Sequence, residues 1–594
     1  MKHFSRAIAL LWALLSLAAC EVKPIQMAWN TQQTFGPDGP WQGVEVVVGQ
    51  DNPPNVDGDS VTLYPGGSWD SVILTNVVCN GSTSACLASQ AGLYNPDNSQ
   101  TANYNVQYEP RPGVWGSDIA LNITGDRQMI LDTLTIHSPG LSYSIPQLAF
   151  AAVNSSNAML PNGNYYPSQV GLLTLGAPTP QQRLSANNGS YIVGNMMTGY
   201  LKQNGSITSS SWGLHIGSVM QGQSGSLTLG GFDKSRALGT GTMAAFDFLG
   251  EGGSTPIVSL LDITIGVETG GSPFNISSIE DGLFRFGRNT SASVTLNPAL
   301  PYMFLPAATC DAIAQYLPVT YQSSSGLYTW NKNDPRYLRI VSSPAYLQFT
   351  FQQSVNQNVS IKVPFALLNL TLDTPILNSP QPYFPCKPYY TPDGGYYLGR
   401  AFLQAAFLGV NYDQGKFFLA QAPGPDSGPI QITTIQTSDA TLRSNPIDSF
   451  ADSWSRKWTT IAPSQNSTSN NTSIGADGST TTPAPSSLGL STGAKAGIGI
   501  GIAAVILILL GVLLGCIIMR RKKRRQQQVQ ASPLPPPPPP VGGYYNDTKP
   551  DLPVPPYSQR HHAVHELDAP NVLHETGDGS LPEMSANRNS MSMS

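Results

Sequence analysis

"VTLYPGGSWDSVIL", Val61–Leu74, sets an apolar run against a Pro-Gly-Gly turn, then a Ser and a second apolar run. Short β-branched and aromatic runs broken by turn formers predict a strand, a tight turn and another strand. The same grammar extends outward from Trp41 to Ala420, in "VEVVVG", "SDIALNITG", "SGSLTLGGFD", "LQFTF" and "AFLGVNYDQGKFFLAQ". An all-β fold is therefore expected. "AATCDAIAQYL", Ala307–Leu317, is the clearest short helix. Internal similarity is weak and comes as two halves, not as a short-period repeat.

The whole chain has 594 residues, with 57 Gly, 50 Pro, 11% charged residues and a net charge of −5. That length exceeds one domain, and low charge with many turn formers favours an extracellular β fold over a helical cytosolic one. No basic field covers the main body, which excludes nucleic acid as an expected partner.

The opening "MKHFSRAIALLWALLSLAAC" has a basic start, an apolar run and a small-residue end, so 1–20 reads as a secretory signal peptide. "LAAC" also resembles a bacterial lipoprotein signal. Glycosylation sequons favour the eukaryotic route: they begin at Asn80, Asn122, Asn154, Asn188, Asn204, Asn275, Asn289, Asn358, Asn369, Asn466, Asn470 and Asn471. Residues 496–519, "AGIGIGIAAVILILLGVLLGCIIM", are uncharged and long enough to cross a bilayer as a helix. "RRKKRR" follows at once and predicts a cytosolic C-terminus, hence a single-pass type I protein at the plasma membrane or cell surface. Residues 422–495 read as a disordered Ser/Thr/Asn/Pro-rich stalk, and 520–594 as a disordered cytoplasmic tail. "SPLPPPPPP" in that tail predicts a polyproline II rod of the kind SH3, WW or EVH1 domains bind.

Cys20 sits at the expected cleavage point and Cys516 in the membrane segment. Cys79, Cys86, Cys310 and Cys386 remain in an oxidising compartment, where three pairings exist. Cys79 with Cys86 closes a short loop and leaves Cys310 with Cys386. No His or Cys spacing suggests a metal site, and no cofactor is implied.

Residues 41–421 resemble a pepsin-like aspartic peptidase domain, family A1. "CNGSTSAC" is similar to the family's short disulfide loop, "GLYNPDNSQT" to the stretch after it, and "VQYEPRPGVWG" to the flap hairpin. "GLLTLG" and "SGSLTLGGFD" follow in the family's order; "VTLNPALPYMFLPAATCDAIAQYL" stands where its second catalytic loop belongs, and "YYLGRAFLQAAFLGVNYDQGKFFLAQA" resembles its closing strands. The resemblance implies a two-lobed fold, with lobes at about 41–235 and 236–421, each giving one catalytic Asp from a D-T/S-G loop. It makes Tyr108 the candidate cleft residue.

The chemistry that the resemblance implies needs two carboxylates sharing one proton. Pro65 and Asn297 stand at the two acid positions. Proline has nothing to ionise, and an amide exchanges no proton near neutral pH. Asp59 and Asp70 lie residues away from the first turn, and no carboxylate falls between Asp281 and Asp311 around the second. The expectation is a non-catalytic surface protein that binds or senses an extracellular peptide or glycan. Its rival is an active membrane-anchored aspartic endopeptidase.

Overall fold

The computed structural model describes residues 22–462 except 51–57, 68, 81–85, 108–119, 251–252, 275, 277–278, 288–290, 391–394 and 447–448. All of them belong to the first of two units, Met1–Gly489 and Leu490–Ser594. Strand outweighs helix by 42% to 13%, so the all-β expectation holds. The expected signal peptide, most of the stalk, the membrane segment and the tail lie outside the described residues. Among the described residues no helix is long and apolar enough to cross a membrane.

An eight-stranded sheet is built between Val44 and Asn195, and a seven-stranded sheet between Ile257 and Leu398. In Val44–Val48 buried positions alternate with half-buried ones, as one-sided burial of a pleated strand requires. Asp59–Pro65 is instead buried continuously from Val61 onward, the mark of a strand covered on both faces.

The surroundings of the opening stretch recur in the second sheet. Asp59–Pro65 runs parallel to Gly171–Leu173, which pairs antiparallel with Ser71–Leu74. Likewise Ala292–Leu296 runs parallel to Tyr396–Leu398, which pairs antiparallel with Met303–Leu305. Each half thus carries a turn whose two flanking strands bond to a third strand inserted between them. A six-stranded sheet joins the halves, since Ser211–His215 pairs with Ala406–Asn411 in register Trp212↔Val410.

Helix Ala307–Ala314 forms as expected but ends three residues early, ahead of Pro318. Cys79 is bonded to Cys86 and Cys310 to Cys386, with Cα separations of 5.5 and 5.7 Å. The second bridge ties the helix to strand Cys386–Pro388.

Both expected boundaries move outward. Residues 22–40 belong to the fold: Ile25–Gln26 pairs with Ser226–Leu229, and Phe35 bridges to Trp41. Residues 422–462, read from composition as the start of the stalk, are packed rather than extended. Ile432–Thr434 pairs with Gly231–Asp233, and Ile435, Leu442 and Trp454 are buried. Trp454 stacks on Trp458 at 5.4 Å and 9°. Three apolar anchors spread over twenty residues are too sparse for a composition window to register, yet each fills a site on the sheets. Trp454→Ala should lower the unfolding free energy by about 3–5 kcal/mol. A circular-dichroism denaturation midpoint that stays at the wild-type value would show that this segment contributes no packing.

Candidate functional site

The two recurrent turns meet. Gly66 (φ 139°) and Gly67 (φ 82°) take conformations that L side chains resist, and Gly66 N donates to Leu173 O at 2.9 Å. A methyl group on Gly66 would lie only 2.0 Å from Pro298 Cγ. Behind the turn, Ser71 Oγ accepts from Thr174 N at 3.0 Å, and Thr174 Oγ1 donates to Trp69 O at 2.7 Å. Trp69 Nε1 crosses to Ser254 Oγ at 3.1 Å.

Asn297 shapes the opposite turn by an Asx bond, its Oδ1 accepting from Ala299 N at 3.0 Å. Its buried amide therefore holds the backbone. Beneath the turn, Arg400 Nη1 donates to Pro298 O at 3.2 Å and Ala299 O at 2.9 Å. The guanidinium also lies 3.9 Å from the Tyr64 ring centroid and 5.0 Å from that of Trp41. Gly399, just before it, approaches too closely for any side chain: a Cβ there would sit 2.2 Å from Leu300 O.

The neighbouring carboxylates are engaged elsewhere. Asp59 Oδ2 accepts from Asn95 N at 2.6 Å, Asp70 Oδ1 from Gln182 Nε2 at 2.8 Å, and Asp311 Oδ1 from Tyr328 Oη at 2.6 Å. Asp281 is exposed. The contact between the turns is made by Gly66 and Pro298, neither of which holds a proton.

One carboxylate does come close, and it lies in the segment that the expected boundary excluded. Asp38 is buried, its Oδ1 accepting from Trp41 Nε1 at 2.8 Å. The loop around it is pinned from the other half of the chain. Tyr383 Oη donates to Asp38 O at 2.7 Å, Asp373 N to Pro37 O at 2.8 Å, and Thr371 N to Gly39 O at 2.8 Å. Loss of water raises the Asp38 carboxyl above its ordinary value, while Arg400 pulls it back only in part.

Asp38, Tyr64 and Arg400 line a cavity of about 100 Å³ together with Tyr166, Gln169 and Leu172. Three buried atoms of its lining, Tyr64 Oη, Gln169 Nε2 and Arg400 Nε, have no hydrogen-bond partner among the described residues. Sequence reasoning missed Asp38, Gln169 and Arg400. The available signal was slight: an Asp in a Gly-Pro turn three residues before a Trp, and a cation inside an apolar closing run.

Pro65 and Asn297 thus stand on facing turns, while Tyr108 lies outside the described residues. Of the sequons, Asn80, Asn122, Asn188, Asn204 and Asn358 are exposed. Asn154 and Asn369 are half-buried, accepting from Thr75 Oγ1 at 2.9 Å and Tyr337 Oη at 3.1 Å. Asn275, Asn289, Asn466, Asn470 and Asn471 lie outside the described residues. No protein-family profile matches the chain, and no curated protein matches it.

Two predictions follow from the packing and charge. Gly66→Ala should cost about 3 kcal/mol through overlap with Pro298 and an unfavourable φ. Gly67→Ala, whose nearest atom would be 3.8 Å away, should cost only about 1–2 kcal/mol for its φ. Equal unfolding midpoints for the two variants would refute the contact. Asp38 binds its proton more tightly folded than unfolded, so wild-type stability should fall as pH rises from about 3.8, the ordinary carboxyl value, through the raised one. Asp38→Asn keeps an acceptor for Trp41 and should flatten that slope in melts recorded across the acidic range.

Proposed function

We propose that this chain is a membrane-anchored surface glycoprotein whose two-lobed, pepsin-like ectodomain binds a ligand without cleaving it. One observation carries the reading. Gly66 and Pro298 pack against each other one residue past Pro65 and Asn297, the positions where the resemblance calls for two acids sharing a proton and a water. Pro65 and Asn297 supply neither acid, and Asp59 and Asp70 are held by partners outside that contact. Arg400 lies under the second turn with its Nη1 committed to the backbone carbonyls of Pro298 and Ala299.

The repeated strand arrangement supports the two-lobed reading, because each half presents its turn in the same setting. Binding of an extended peptide or a glycan is then a use of the scaffold that survives loss of the acids. On this reading the segment 496–519 anchors the ectodomain, and the proline run recruits an SH3, WW or EVH1 domain inside the cell.

The purified full-length chain, incubated with unfolded protein between pH 3 and pH 6, should give no pepstatin-sensitive cleavage above buffer, while an active pepsin in the same tubes digests it. Pepstatin-sensitive peptides from the wild-type chain would overturn the reading.

A further inference from the structure

We propose that Asn162 is a site of spontaneous covalent modification: the Gly163 amide closes on its side chain, expels ammonia and leaves an acid in the tip of a hairpin. This goes beyond the binding reading above and does not depend on it.

Asn157–Met159 pairs with Tyr165–Pro167 in register Ala158↔Tyr166. Ala158 and Tyr166 are buried and line the cavity beside Arg400, whereas residues 161–165 are exposed. The turn is closed by Leu160 N donating to Asn164 O at 2.8 Å and by Gly163 N donating to Leu160 O at 2.9 Å. Exposed tips built from small and polar residues open most readily.

The carbonyl carbon of an asparagine side chain lies within reach of the next residue's backbone nitrogen, and that residue's own side chain ordinarily obstructs the approach. Gly163 has none. A Cβ built on it would meet nothing within 4 Å, so neighbouring groups do not obstruct the approach either. Asn162 Oδ1 accepts one bond, from Asn164 N at 3.0 Å, and must release it to turn. Gly163 N then loses its proton and bonds to Asn162 Cγ; the Cγ–Nδ2 bond breaks, and Nδ2 leaves with a proton as ammonia. Water opens the resulting succinimide at either carbonyl, giving aspartate or its β-linked isomer. One water enters, one ammonia leaves, and nothing is oxidised or reduced.

Asn-Gly occurs at Asn80, Asn162, Asn188 and Asn204, and all but Asn162 begin a sequon. On the glycoprotein reading a sugar on Nδ2 crowds Cγ at those three and leaves Asn162 bare. Local geometry separates the described sites as well. Asn188 Oδ1 is held twice, by Ser190 N at 3.0 Å and Ser190 Oγ at 2.6 Å. Asn204 closes the helix Met197–Gln203, its N donating to Tyr200 O at 2.9 Å. Gly81, after Asn80, lies outside the described residues. In the β-linked product an extra carbon enters the main chain between Asn162 and Gly163, inside the loop that the Leu160–Asn164 bond closes. Conversion therefore loosens this wall of the cavity.

The experiment incubates the full-length chain, held in amphipol, at pH 6 and at pH 8.5, and follows its peptides by mass spectrometry. The Asn162 peptide should gain the mass of an amide-to-acid exchange, faster at the higher pH because the attacking nitrogen must lose its proton. Asn162→Gln should abolish the gain, and Gly163→Ala should slow it several-fold. Amide hydrogen exchange at Leu160 and Gly163 should quicken in the converted fraction. An Asn162 peptide that keeps its mass at pH 8.5, while a synthetic peptide of residues 158–166 converts in the same buffer, overturns the assignment. That result would leave the glycoprotein reading standing, whereas conversion at Asn188 and Asn204 alongside Asn162 would count against their glycosylation and leave the assignment intact.

Discussion

A buried guanidinium is tolerable only when its surroundings replace the water it has lost. Arg400 meets that constraint by drawing on both halves of the chain. Two carbonyls of the second turn accept from it, while the rings of Tyr64 and Trp41, from the first half, cover it at 3.9 and 5.0 Å. A desolvated cation over aromatic faces gains about 2 kcal/mol or more. The same side chain therefore fixes the second turn, sets the position of the first strand and supplies the charge that offsets Asp38. Separating the halves would strip the cation of its rings and strand it in apolar surroundings.

The facing turns hold their shape without any ionisable group. Their conformations rest on backbone bonds, on Gly66 and Gly67, on the Ser71–Thr174 pair and on the Asx bond of Asn297. None of these needs an ionisable group. Once Pro298 fills the space against Gly66, the contact is apolar and close-packed. Atoms added at Gly66 would find no room, because interiors packed this tightly accommodate them poorly.

Much of this was legible in the sequence, and the remainder was not for identifiable reasons. Strands such as Val44–Val48 declare themselves by a period of two, and the Pro-Gly-Gly turn by its residue types. The disulfide pairing followed from one short spacing, and that neither Pro65 nor Asn297 is an acid could be read directly. Asp38 was hidden because its loop has no periodicity and its anchor, Tyr383, lies 345 residues away. Arg400 was hidden because a lone cation in an apolar run carries no pattern. The packing of 422–462 was hidden because Ile435, Leu442 and Trp454 stand among turn formers that resemble a stalk.

That closing segment also decides how the domain bears mechanical load. Gly271 N donates to Ile461 O at 2.7 Å, and Thr459 N to Ser342 O at 2.8 Å. Tension applied to the chain beyond this point reaches those two bonds first and the stacked indoles of Trp454 and Trp458 next. The bridges at Asn445 and Arg443 follow, and the strand pair formed by Ile432–Thr434 comes after them, so this clasp takes the load ahead of the joining sheet.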